Sequence, residues 1–169
     1  MATENYLVKH SEQISVANAF SAKFHDSLKI QAHDGGYKFN LLEDFSMDFC
    51  WDIENNCPIL PTANKLRKFK IVTLTAREGF ESDLISSPRF LWSLFPPFGS
   101  GLKASVIHDL LYRNDIPSPS GQFYTQKDAD LIFKIGLIVE GVTDRKSWAM
   151  YNALRLVGFR AWEENRGMK

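Results

Sequence analysis

The chain has 169 residues, 44% hydrophobic and 24% charged, which is the size and balance of one globular domain. Twenty Lys and Arg offset twenty Asp and Glu, so the net charge is zero, which argues against a protein whose main work is coating nucleic acid. Aromatic residues make up 13%, with 13 Phe among them, which fits either a ring-rich core or a surface that holds a partner.

The first predicted element spans residues 1–34. Val16, Phe20, Phe24 and Leu28 recur every four residues, with Ser11 as a cap and Gly35-Gly36 as the stop. This spacing predicts an amphipathic N-terminal helical arm. Residues 36–169 then read as a single α+β domain. Its first part, about 36–85, is a small antiparallel sheet: Tyr37, Phe39 and Leu41 alternate with polar residues, as do Phe45, Met47, Phe49 and Trp51, and Ile71-Val72-Thr73-Leu74 is β-branched. Pro58 and Pro61 mark a loop, followed by the basic cluster Lys65, Arg67, Lys68 and Lys70.

The second part, about 86–162, is a helical layer. Ser87-Pro88 starts a short helix that ends before Pro96-Pro97. Gly99 to Gly101 opens the next, with Val106, Ile107, Leu110 and Leu111 as its apolar stripe. Thr125 to Asp128 reads as a capping box for a helix carrying Leu131, Ile132, Ile135 and Val139. Gly141 ends that helix, and Thr143 caps the last one, with Trp148, Tyr151, Leu154 and Phe159.

Cys50 and Cys57 are too few for a disulfide framework, and their spacing does not suit a zinc knuckle. The N-terminus lacks the basic and apolar runs of a secretory signal. The longest apolar stretch, Leu131 to Val139, is interrupted by Lys134 and falls far short of the ~20 residues of a membrane span. The chain is therefore expected to be made in a cytoplasm and to stay in solution.

Three places carry chemistry-bearing residues. Gly79 to Arg89 contains Asp83, Ser86 and Ser87, which suit turns and caps. His108-Asp109 lies within a helix, where His108 is surrounded by apolar neighbours and Asp109 faces Arg113 as a surface pair. Asp130 projects with Phe133 and Leu137, so its carboxylate needs a cation or a metal, with Arg89 as one candidate partner. Together Asp83, His108 and Asp130 make a one-His, two-carboxylate set that suits a single divalent transition metal such as Zn²⁺, Mn²⁺ or Fe²⁺. No phosphate-cradling glycine loop, nucleophile elbow or dinucleotide fingerprint is present.

Four blocks occur in order: Gly79-Phe80-x-x-Asp83-Leu84-x-Ser86-x-Pro88-Arg89, His108-Asp109-x-Leu111-Tyr112, Asp128-Ala129-Asp130, and Gly158-Phe159-Arg160-Ala161-Trp162. They resemble a small family of unknown function encoded mainly by bacteriophages and prophages, over roughly residues 70–162. The chain departs from that pattern at Ser82, Ile85 and Gln126-Lys127. The resemblance implies a phage protein, and two functions fit one. The first is an accessory virion component of tail, baseplate or neck, whose partners are other phage structural proteins or copies of itself. Phe90, Leu91, Trp92 and Phe95 are then its interface, and Asp83, His108 and Asp130 a buried network. The second is a metal-dependent hydrolase of peptidoglycan or a phosphoester, with Asp83, His108 and Asp130 as ligands and Asp109 as the base that activates metal-bound water.

Overall fold

The computed structural model describes residues 5–16, 22–33, 38–60, 68–83 and 100–166. The segments 61–67 and 84–99 lie outside it. They hold Lys65 and Arg67 of the basic cluster, the short helix expected after Ser87-Pro88, Arg89, and the expected interface residues Phe90, Leu91, Trp92 and Phe95.

Among the described residues, two antiparallel sheets come from eight strands: β1 (Tyr6–Val16), β2 (Lys23–Phe24), β3 (Ile30–Ala32), β4 (Phe39–Leu41), β5 (Phe45–Asp52), β6 (Cys57–Pro58), β7 (Lys68–Ala76) and β8 (Glu81–Ser82). The larger sheet runs β1-β7-β5-β2, with β6 also on β5, and the smaller runs β3-β4-β8. Three helices follow: α1 (Leu102–Arg113), α2 (Gln126–Val139) and α3 (Asp144–Asn165). The expected α+β class is therefore present.

The expected N-terminal helical arm is not. Residues 6–16 form β1, which pairs with β7 from Tyr6↔Ala76 to Val16↔Lys68. The first turn of sequence already alternates: Tyr6 and Val8 pack against the core, whereas Leu7 and Lys9 face outward. Phe24 and Leu28 are partly buried against the core, but in and after β2, where the Phe24 ring stacks on Phe45 at 5.5 Å. Val16 and Phe24 thus belong to separate strands, and cross-strand pairing prevails over the helical period.

Register places one apolar face of the large sheet against the helices. Phe45↔Ala76, Met47↔Leu74 and Phe49↔Val72 are direct neighbours on that face, and they share a core with Ile107, Leu110, Leu111, Ile132 and Ile135. The opposite face carries polar pairs, with Ser46 Oγ 2.8 Å from Thr75 Oγ1 and Thr73 Oγ1 donating to Asp48 at 2.7 Å. Asp52 folds the chain back into β6 by accepting the backbone N–H groups of Glu54 and Asn55, both at 2.9 Å.

The helix ends differ in how far their caps come from. Thr125 and Asp128 form the expected capping box at the start of α2. Gly141, at φ 82°, ends it, with Gly141 N–H bonded to Ile138 and Val142 N–H to Leu137, the paired bonds of a left-handed helix stop. Thr143 stands at the start of α3, but its side chain makes no capping bond there. The start of α1 follows Gly101 and has no local side-chain cap; the carboxylate of Glu140, at the end of α2, accepts Lys103 N–H at 3.2 Å and Ala104 N–H at 3.1 Å instead. Among the described residues, no helix is long and apolar enough to cross a membrane.

Candidate functional site

The site is built on α1, which carries a polar cluster on each of two flanks. His108 and Tyr112 are one helical turn apart and face α2 and α3, whereas Asp109 and Arg113 sit one position further round and face β8. The turn period thus divides four adjacent polar side chains into two pairs with different neighbours.

The first cluster centres on Asp130 of α2, which has no exposed surface. Its Oδ1 accepts the Tyr112 hydroxyl at 2.6 Å and lies 3.0 Å from His108 Nε2, and its Oδ2 accepts Arg155 Nη1 from α3 at 2.9 Å. A carboxylate only accepts, so Nε2 of His108 carries the hydrogen. Burial, followed by the adjacent Asp130 charge, pushes the Tyr112 hydroxyl far above its ordinary range, which keeps it a donor. Gln126 Nε2 donates to the same hydroxyl at 3.3 Å.

Rings enclose this cluster. His108 lies 4.1 Å from Tyr112 and 5.1 Å from Phe133 between centroids, and Trp162 meets Tyr112 edge-on at 5.0 Å. Gly158 allows α3 to come this close, since a Cβ there would stand 2.7 Å from the Tyr112 hydroxyl. Two of the four sequence blocks, His108-Asp109-x-Leu111-Tyr112 and Gly158 to Trp162, therefore meet around the Asp of a third.

The second cluster joins α1 to β8. Ser82 Oγ donates to Asp109 Oδ2 at 2.5 Å, while Arg113 pairs with the Asp83 carboxylate and donates to the Glu81 carbonyl at 2.7 Å. The expected Asp109–Arg113 surface pair is therefore replaced, because β8 brings both a hydroxyl and a carboxylate to this flank of the helix. Burial first, and the Asp83 charge second, push the Asp109 carboxyl up to about 6, against the pull of Ser82, His108 and Arg113.

The structure brings His108 and Asp130 together and leaves Asp83 on the other flank. Among the described residues, no group of three or more His, Cys, Asp or Glu side chains is placed to hold a metal ion. His108 Nε2 and both Asp130 oxygens are engaged by protein groups, so the three expected ligands do not converge as a coordination set. Ser82 is only 1% exposed and is not a nucleophile open to substrate. A cleft of about 240 Å³ lies elsewhere, lined by Asn55, Asn56, Ser120, Gln122, Phe123 and Lys127, and none of Asp83, His108, Asp109 or Asp130 borders it.

Arg155 and Gln126 were not visible as site residues in the sequence. Arg155 lies 25 positions beyond Asp130 in an ordinary charged helix, and no local pattern distinguishes it. Gln126 belongs to Gln126-Lys127, one of the places where the chain departs from the pattern it resembles, and that departure is the one signal that marked it.

A family model described as "Protein of unknown function (DUF1353)" matches residues 62–154. The matched stretch includes Ser82, Asp83, His108, Asp109, Tyr112, Arg113, Gln126 and Asp130, and ends one residue before Arg155. No curated protein and no solved structure matches the chain.

Proposed function

We propose that this chain, which belongs to the DUF1353 family, is a phage-encoded accessory component of the virion that acts through protein–protein contacts. Its titratable set serves as internal scaffolding: Asp130 ties α1, α2 and α3 together, and Ser82 and Asp83 fix α1 to the small sheet. The observation that carries the reading is on the outside of α3. Trp148, Leu156 and Phe159 are 61%, 83% and 56% exposed on one flank of a single helix. Scattered single apolar residues need no explanation, but three large ones aligned on one helix suit a contact surface. The phage origin rests on the four ordered sequence blocks.

The test is quantitative mass spectrometry of particles purified from the phage or prophage-bearing strain that carries the gene. The expected result is this chain in fixed stoichiometry with the tail or neck proteins. Its absence from clean, infectious particles would contradict the reading.

The second reading, a hydrolase, is favoured by the setting of Asp109: burial and the nearby Asp83 charge push its carboxyl up to about 6, toward the range in which a general acid or base is useful. Elemental analysis of untagged protein separates the two. Near one equivalent of a transition metal, lost in His108→Ala, would place the hydrolase first.

A further inference from the structure

We propose that α3 is the two-fold interface of a homodimer, pairing antiparallel with α3 of a second copy of this chain. This deepens the protein-contact reading by naming the partner, and rests on that reading.

The argument starts from which residues share the exposed flank. At about 100° per residue, Arg145, Trp148, Asn152, Leu156, Phe159 and Glu163 fall within an arc of about 80°. Each is three or four residues from the next, the spacing with which one helix presents a continuous seam to another. The inward side of α3 is a different arc, which carries the buried Ser147, Met150, Gly158 and Trp162. The flank is therefore additional to the one that packs on α1 and α2.

The seam is self-complementary. A two-fold axis at the level of residue 154, between Asn152 and Leu156 on the exposed flank, sets Arg145 of one copy opposite Glu163 of the other, and Glu163 opposite Arg145. The same axis sets Asn152 against Leu156 and brings Trp148 within one residue of the level of Phe159. Apolar side chains meet near the middle and opposite charges close both ends, which is the form of an isologous contact. A parallel pairing would instead set like charges side by side at each end.

The charge order also runs against the helix itself. In the first turn of α3 the cations Arg145 and Lys146 outnumber Asp144, the one anion that the backbone dipole favours there, and Glu163 and Glu164 lie in the last turn, where it disfavours anions. Among the described residues, no ion pair within the chain engages Arg145 or Glu163. An antiparallel second copy places an opposite charge beside each. The charge pattern that costs stability in one helix thus favours two.

The test measures the mass of the full-length chain by sedimentation equilibrium across the micromolar range. The expected result is a reversible dimer. Glu163→Arg and Arg145→Glu each turn two attractive contacts into repulsive ones, so each should weaken self-association by about tenfold, with unchanged thermal unfolding. Mixing the two variants should restore association, because every facing pair is again opposite in charge. A wild-type chain monomeric throughout, or a dimer indifferent to both substitutions and to their mixture, would overturn the proposal. A monomeric chain present in particles overturns the dimer and leaves the virion reading standing. A dimer absent from particles overturns the virion reading and leaves the interface standing.

Discussion

Asp130 receives hydrogen bonds from three side chains on two other helices, and no water can replace them at a site with no exposed surface. Asp130→Asn keeps the shape and removes the charge, leaving the Arg155 guanidinium facing an amide. A buried pair broken from one side costs about 3–5 kcal/mol, and urea unfolding should show a loss of that order. Asp109 behaves differently because its proton is in play. The folded protein holds that proton up to about pH 6, whereas the free carboxyl releases it near 3.8. Between these values the folded state binds more protons, so stability falls as pH rises through this window. Asp109→Asn should flatten that fall; thermal unfolding profiles of wild type and variant that stay parallel from pH 4 to 7 would contradict the assignment. At this scale, the sequence announced the need for a partner at Asp130, because a carboxylate shared its helical face with Phe133 and Leu137. It did not announce which partner, since Arg155 arrives from another helix and Arg89 was an equally plausible cation.

Elements were legible where their signals are local. The Thr125–Asp128 box, the Gly141 stop and the alternation of Phe45, Met47, Phe49 and Trp51 each depend on residues within a few positions of one another, and each appears as expected. The N-terminal strand was not legible, because β1 is specified by its pairing with β7, which joins Tyr6 to Ala76. The four-residue recurrence from Val16 to Leu28 was real, but its described members belong to different elements. The cap of α1 was hidden for the same reason, since Glu140 comes from the far end of α2. The contact between these two helices is also tight. A Cβ at Gly136 would stand 2.7 Å from Ala104 Cβ and 3.2 Å from its Cα, and backbone cannot swing aside. Gly136→Ala should therefore force α1 and α2 apart and destabilise the fold by about 1–3 kcal/mol, seen as a lower urea midpoint.

At the scale of the molecule, the described sheets and helices hold two polar clusters that are closed by their own side chains and an outer helix flank that is not. Asp130 links the helices to one another, and the Ser82–Asp109 and Asp83–Arg113 contacts link them to the small sheet. A substitution in either cluster is expected to act through stability. A substitution on the exposed flank of α3 is expected to act through assembly, because Leu156 is 83% exposed and its replacement by a polar residue leaves the core intact. The most direct measurement compares wild-type chain with Leu156→Asp, each supplied to assembling particles that lack their own copy. The prediction is a variant that unfolds at the wild-type temperature yet is missing from the purified particles. Incorporation of Leu156→Asp at the wild-type level, with full infectivity, would contradict the account.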